Sequence, residues 1–334
     1  MQTKAQTAFS FQEKAWQKYA SGYSGMVVAP TGFGKTYSIF LAVLIDFLNH
    51  PNNYKNGLKL IWITPLRSLA KDLARAMQEA IDEIGLDWTV EVRNGDTEAK
   101  QKARQSRSMP DILLVTPESL HLLMAKKSRD VFFKNLKCVV VDEWHELLST
   151  KRGVMVELAT AFLRLHAPKL QVWGISATIG NIDEAMDVLL PNFAKKVKII
   201  AKEKKKIEIL PVYPDYVEIL PWAGHLGGKL VEQVVPIILQ SKSTILFTNT
   251  RSQSEMWYQL LLEAYPDFAG QIALHHSSID GKIRQWIEDN LSDGHLKAVV
   301  STSSLDLGVD FKPVDTVIQI GSSKGVARFM QRAG

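Results

Sequence analysis

The chain has 334 residues, 46% of them hydrophobic and 22% charged, with a formal net charge of +5. That composition fits an ordinary globular protein of about two domains, and the modest positive excess favours a polyanionic partner without requiring one. One cysteine, Cys138, excludes an internal disulfide framework and points to a reducing compartment, while the longest apolar run, 38–48, is interrupted by Asp46 and too short to span a bilayer.

The segment 1–10 is polar and lacks the apolar core of a targeting signal, so a cytoplasmic protein with no membrane partner is expected. A first helix is predicted over 11–20, where Phe11, Ala15, Trp16 and Tyr19 recur at helical spacing. An apolar run at 26–28 reads as a buried strand and the largely apolar stretch 37–48 as a helix. Between them lies Ala29-Pro30-Thr31-Gly32-Phe33-Gly34-Lys35-Thr36. Strand, glycine-rich loop and helix together make the context of a phosphate-binding loop. Gly32 and Gly34 permit backbone angles and close approaches that a Cβ would block. The loop N–H groups and the helix N-terminus then face phosphate oxygens. Lys35 supplies positive charge to them, and the Thr36 hydroxyl is placed for Mg²⁺. Ala29 stands where such loops usually begin with glycine, and Phe33 fills a position usually held by a small residue.

Further strands are predicted at 58–63, 88–92, 112–115, 136–141 and 170–175, with helices at 66–84, 98–107 and 154–166. Short apolar strands alternating with helices predict a parallel sheet covered on both faces. At 192–206 the pattern changes: Lys195, Lys196, Lys198, Lys202, Lys204, Lys205 and Lys206 accompany one acid, Glu203. This reads as a solvated linker face, with phosphate contacts as the sharper alternative, and it sets the boundary between a first domain, 1–203, and a second, 204–334. The alternation then restarts, with strands at 243–247, 272–274, 298–300 and 316–320 and helices at 231–239, 253–262, 283–291 and 326–330. The expected fold class is α/β, two tandem domains each with a mostly parallel sheet and helices on both faces.

Asp142-Glu143-Trp144-His145 directly follows the buried run 139–141. Ligands of open α/β sheets sit outside the carboxyl ends of the strands. The acidic pair and the phosphate loop are therefore expected to open onto one crevice. ATP hydrolysis needs one carboxylate to hold Mg²⁺ and another to orient and deprotonate water. Asp142, at the strand terminus, suits the metal, and Glu143 suits the water.

With these landmarks in order, the sequence resembles a superfamily 2 DExH-box helicase. Gln12 resembles the adenine-reading Q motif, 29–36 motif I, and Asp142 to His145 motif II. Thr64-Pro65-Leu66-Arg67-Ser68 and Thr116-Pro117-Glu118 resemble motifs Ia and Ib, and Ser176-Ala177-Thr178 resembles motif III. In the second half, Phe247-Thr248-Asn249-Thr250-Arg251 resembles motif IV and His275-His276-Ser277-Ser278 an adjoining strand-contact element. Ser301 to Asp310 resembles motif V, and Gln331-Arg332-Ala333-Gly334 the start of motif VI. The resemblance implies two RecA-like domains and a catalytic set of Lys35, Asp142, Glu143 and His145. It implies ATP contacts from Gln12, Thr31, Gly32, Gly34, Lys35, Thr36, Gly308, Asp310 and Arg332, and Mg²⁺ at Thr36 and Asp142. Nucleic-acid contacts are implied for Pro65, Arg67, Ser68, Gly95, Asp96, Thr116 and Pro117. In the second domain they are implied for Thr248, Asn249, Arg251, His276, Ser277, Ser301, Thr302 and Ser303. Ser176 and Thr178 are implied to couple hydrolysis to that grip.

The wording around 142–147, 303–310 and 319–328 is similar to the Lhr family, and that around 11–32 resembles its bacterial ligase-associated branch. This resemblance implies ATP-driven 3′→5′ movement on DNA, unwinding of DNA or RNA:DNA duplexes, and a role in DNA repair. It implies a single strand with a duplex junction as partner, a DNA ligase and a repair nuclease as neighbours, and a monomer. The motif VI pattern runs out at Gly334, so the expectation is an incomplete core that binds nucleotide and hydrolyses it slowly. A duplex translocase that does not separate strands is the alternative. A small-molecule kinase is opposed by the second α/β domain, and an inactive binding module by the intact Lys35, Asp142 and Glu143.

Overall fold

A computed structural model describes residues 7–65, 67–148, 150–177, 179–203, 207–213, 228–305, 314–323 and 325–333. Two compact units are present, Met1–Lys204 and Lys205–Gly334.

The first unit is built on strands β1 (Ser24–Val28), β2 (Leu60–Ile63), β3 (Val90–Arg93), β4 (Ile112–Val115), β5 (Cys138–Val141), β6 (Gln171–Ser176) and β7 (Lys196–Ile200). They form one sheet in the order β3-β4-β2-β5-β6-β1-β7, parallel at every pairing. Its helices are α1 (Ser10–Ala20), α2 (Lys35–Asn49), α3 (Arg67–Ile84), α4 (Ala99–Gln105), α5 (Pro117–Met124), α6 (Arg129–Phe133), α7 (Trp144–Leu147), α8 (Lys151–His166) and α9 (Ile182–Leu189). The central strands are apolar throughout because both faces are covered. Successive residues point to opposite faces. Ile61, Ile63, Val139, Val141 and Val172 pack under residues of α5 to α9. Leu60, Trp62, Cys138, Val140 and Trp173 pack under α1, α2 and α3. Cys138 is thus an interior residue, and burial pushes its thiol far above the usual range.

The second unit repeats the plan with β8 (Thr244–Phe247), β9 (Ile272–His275), β10 (Ala298–Ser301) and β11 (Thr316–Gln319), parallel in the order β11-β8-β10-β9. Helices α10 (Val231–Gln240) and α11 (Arg251–Ala264) cover one face, and α12 (Gly281–Ser292) the other. A last helix, α13, spans Val326–Ala333. No helix among the described residues is long and apolar enough to cross a membrane.

One expectation is corrected. The lysine-rich stretch at 192–206 is not simply a solvated linker: five of its residues form β7, a parallel neighbour of β1. Val197 and Ile199 turn inward while the lysines alternate outward. Lys198 Nζ lies 2.8 Å from Asp183 Oδ1, and Lys196 pairs with Asp187, both acids being on α9. These two lysines are therefore engaged by carboxylates of their own unit.

Close packing at β1 yields a test. Gly25 sits between β6 and β7, where a Cβ would run into the Val197 carbonyl oxygen and come within 2.6 Å of the Trp173 ring. Gly25→Ala should destabilise the unit by about 1–3 kcal/mol, a fall in melting temperature on the order of 5 °C. An unchanged thermal unfolding curve would contradict this packing.

Candidate functional site

The carboxyl ends of β1, β6 and β5 lie side by side, with β6 in the middle. The loop leaving β1 runs over residues 29–34 and feeds directly into α2. Ala29 N donates to the Ser176 carbonyl at the end of β6 (3.2 Å), so the loop starts from a fixed point. Gly32 and Gly34 have φ of 86° and 70°, in the left-handed region. At Gly34 space adds to the constraint: a Cβ would stand 2.9 Å from Gln12 Nε2.

Gln12 caps α1 and braces this loop. Its Oε1 accepts from Phe9 N (2.9 Å), and its Nε2 donates to the Gly34 carbonyl (2.9 Å). Trp16 Nε1 donates to the Tyr37 carbonyl at 3.2 Å. Phe33 is explained here as well: its ring meets Phe9 edge-on at 5.6 Å, and Phe9 stacks on Phe11 at 5.9 Å. The bulky loop residue ties the loop to the helix that precedes β1. Thr31 and Thr36 are half-buried, and Gly32 is exposed.

Lys35, Asp142 and Glu143 are 8%, 5% and 6% exposed. Lys35 Nζ lies 3.6 Å from Glu143 Oε1. Among the described residues, Lys35 Nζ and Glu143 Oε2 have no hydrogen-bond partner. Asp142 Oδ2 accepts from Trp62 Nε1 (3.1 Å) and Oδ1 from Glu143 N (2.9 Å). Burial, reinforced by the neighbouring Glu143 charge, pushes the Asp142 carboxyl up to about 7, against the opposing pull of Lys35. Glu143 adopts φ 46° and ψ 47°, a left-handed conformation that costs a non-glycine residue on the order of 1–3 kcal/mol. This turn ends β5 and starts α7. His145 Nδ1 lies 2.8 Å from Ser176 Oγ and 3.5 Å from Glu143 Oε2. Gln12, Gly34, Lys35, Asp142, Glu143, His145 and Ser176 therefore form one connected site.

The Lys35 ammonium is buried and ion-paired to Glu143 at 3.6 Å but makes no hydrogen bond among the described residues, which leaves it able to take an anion. Together with the left-handed glycines Gly32 and Gly34 of the loop, it fits a bound polyphosphate. The desolvated Asp142 carboxylate and the half-buried Thr36 hydroxyl have the chemistry to hold a hard divalent cation.

The neighbouring strand ends carry the other expected positions. Pro65 is buried at the exit of β2, where its carbonyl accepts from Arg152 Nη1. Arg67 and Ser68 open α3. After β3, Asn94 Oδ1 accepts from Asp96 N (2.9 Å) and Lys102 Nζ donates to the Gly95 carbonyl (3.1 Å), leaving Gly95 and Asp96 exposed. After β4, Thr116 precedes α5, its Oγ1 donating to Ser119 Oγ (3.2 Å), and Pro117 is the first residue of that helix.

In the second unit the same edge gathers Thr248, Asn249, Arg251, His276, Ser277, Ser301, Thr302 and Ser303 at the ends of β8, β9 and β10. Arg251 Nη2 donates to Ser277 Oγ at 2.7 Å. His276 Nε2 lies 3.3 Å from Glu255 Oε1. His275 is spent internally, with Nδ1 2.8 Å from Ser304 Oγ and Nε2 3.0 Å from Glu288 Oε1. Arg332 donates to Gln319 Oε1 (2.6 Å) and lies over the Phe247 ring. Thr178, Gly308 and Asp310 lie outside the described residues.

Two residues were missed by sequence reasoning. Trp62 holds Asp142, and Arg152 holds Pro65 and Glu118. A tryptophan in an otherwise aliphatic strand was the available signal for the first, since a buried indole N–H needs an acceptor. Nothing local marks Arg152.

Comparison with known proteins identifies the family. A profile for DEAD/DEAH box helicases matches residues 9–185, and one for the helicase conserved C-terminal domain matches 229–334. The ATP-dependent helicase Lhr-Core protein 2 of Thermococcus barophilus is 33% identical over 95% of this chain and 39% of its own length. The ATP-dependent helicase Lhr-Core of Methanocaldococcus jannaschii is 32% identical over 97% of this chain and 39% of its own. The chain thus spans about two fifths of the length of these relatives. The structure of Mycobacterium smegmatis helicase Lhr bound to ssDNA and AMP-PNP superposes with a TM-score of 0.76 at 30% identity, covering 98% of this chain and 43% of that one. The fold is also that of the DUF1998 helicase MrfA bound to DNA, with TM-score 0.80, 23% identity, and coverage of 97% and 46%.

The clustered charges predict a pH dependence. With one proton on the acid pair, the set of Lys35, Asp142 and Glu143 is neutral; with none it is one charge negative. The Asp142 pKa is raised by folding, so the stability tied to its proton is present at low pH and lost as pH rises through about 7. In Glu143→Gln the remaining pair is neutral without that proton. Its stability relative to wild type should therefore rise by on the order of 1 kcal/mol between pH 5.5 and 8.5. Parallel melting-temperature curves for the two proteins would refute the coupling.

Proposed function

The chain belongs to the DEAD/DEAH box helicases, in the Lhr-like group of superfamily 2, and from that premise we propose that it is the motor core of an ATP-hydrolysing helicase that tracks along DNA. The observation that carries this reading is the pair of buried atoms that make no hydrogen bond among the described residues, Lys35 Nζ and Glu143 Oε2, near the Gly34 turn. Lys35 is the cation for the nucleotide's phosphates. Loop residues Thr31, Gly32 and Gly34 line their cradle, and Gln12 and Phe9 stand on the side from which a purine is read. Thr36 and Asp142 are the residues that would hold Mg²⁺, which when bound would neutralise phosphate charge. The Glu143 carboxylate takes a proton from the attacking water, with its free oxygen as the acceptor. His145 and Ser176 pass a change at Glu143 to the start of the phosphate loop, through the Ala29–Ser176 hydrogen bond.

Strand-end residues of both units supply the grip on the track, Gly95, Asp96, Asn249, Arg251, Ser277 and Ser303 being the exposed ones among them. Hydroxyls, backbone N–H groups and helix starts hold sugar and phosphate rather than bases. Binding is then tolerant of sequence and weakened by salt. Movement 3′→5′, unwinding of DNA or RNA:DNA duplexes, a repair setting with a ligase and a nuclease nearby, and a cytoplasmic monomer complete the proposal; the similarity to ssDNA-bound Lhr supports its DNA part.

Lys35→Ala should weaken nucleotide binding at least tenfold by titration with a fluorescent analogue. In the full-length protein Glu143→Gln should keep nucleotide binding and reduce nucleic-acid-stimulated phosphate release by about 10²-fold or more. Both are measured with ssDNA, dsDNA, RNA and hybrid side by side. Turnover that ignores every oligonucleotide would overturn the helicase reading. Turnover without displacement of a labelled strand would replace it with a duplex translocase.

A further inference from the structure

Arg152 is the second residue of α8, and its guanidinium reaches two loops at once. Nη1 donates to the Pro65 carbonyl at 2.7 Å, and Nη2 to Glu118 Oε2 at 3.2 Å. Nε lies 2.7 Å from Glu118 Oε1. Pro65 stands at the exit of β2 and Glu118 in the first turn of α5, after β4. The strand order β4-β2-β5 makes these exits neighbours of the one that carries Asp142 and Glu143. Arg152 is in turn tied to that segment. Thr150 caps α8 by accepting from Gly153 N (3.2 Å), and its own Oγ1 donates to the carbonyl of Leu147, the last residue of α7 (2.6 Å). Proline has no N–H, so the Pro65 carbonyl is the backbone handle by which this turn can be held. A guanidinium is a rigid planar fork, and one that grips a carbonyl and a carboxylate together fixes the distance between them.

We propose that Arg152 is a positioning residue for the nucleic-acid grip: with Glu118 it sets the spacing of the β2 and β4 exit loops and ties that spacing to the helix following the acidic pair. The inference rests on the nucleic-acid reading above. Arg152 itself holds no phosphate; it arranges the backbone N–H groups that do.

The test measures binding of a fluorescent oligothymidylate to wild type, Arg152→Ala, Glu118→Ala and the double variant, with AMP-PNP present, across a potassium chloride series. Arg152→Ala should raise Kd on the order of tenfold with the slope of log K against log salt unchanged. Glu118→Ala should also raise Kd, although it removes a negative charge from beside a polyanion. The double variant should bind within about twofold of Arg152→Ala, because the pair acts as one unit. A slope shallower by about 0.7 in Arg152→Ala would make it a direct phosphate ligand and overturn the proposal. Tighter or unchanged binding by Glu118→Ala would also overturn it. Glu118 is half exposed, so its variant tests the idea even if loss of Arg152 lowers the melting temperature. Wild type that binds no oligonucleotide sinks the underlying reading and this inference with it, whereas wild-type binding matched by Arg152→Ala sinks the inference alone.

Discussion

The first unit is organised around charge held out of water. Lys35, Asp142 and Glu143 sit at the ends of apolar strands, with the ammonium 3.6 Å from one carboxylate and the two acids on consecutive residues. Each such group costs several kcal/mol to desolvate, and mutual attraction recovers only part of it. The surrounding scaffold keeps them there. Trp62 gives an indole N–H to Asp142, a left-handed turn aims Glu143, and Gln12 braces the glycine that precedes Lys35. The site is strained and under-partnered by design of the fold, and a charged ligand relieves that condition.

Topology explains why these residues meet although more than a hundred positions separate them. All strands are parallel, so every exit loop lies on one edge of the sheet. Because β6 runs between β1 and β5, Ser176 touches both sides: its carbonyl anchors the phosphate loop and its hydroxyl meets His145. The second unit uses the same edge in the same way. There the His275 carbonyl accepts from Ser301 Oγ (3.1 Å) and Thr302 N (3.3 Å), so one strand end holds the next.

Much of this was legible in the sequence because it is local. Ala29 to Thr36 and Asp142 to His145 each carry their chemistry within a few residues of a strand end, and apolar runs of four to six residues mark the strands themselves. What was lost has physical causes. Two of the five residues of β7 are lysine, and its inward residues are just Val197 and Ile199, too few to outweigh a charge run. Arg152 acts on residues 87 and 34 positions away, and a side chain's distant partners leave no trace in its neighbours. Phe33 looked anomalous as a loop residue and becomes ordinary once Phe9 is seen against it.

Among the described residues β7 is also the last strand of its sheet. An edge strand offers unpaired backbone groups to any other chain that can align with them, which is the usual route to aggregation. Here alternate side chains along that rim are Lys196 and Lys198, pointing outward. A second strand arriving in register would have to fit its side chains against lysines already paired with Asp187 and Asp183. This border of lysine–carboxylate pairs thus gives an apolar strand no matching surface to add to, and it does so with residues that contribute nothing to the nucleotide site.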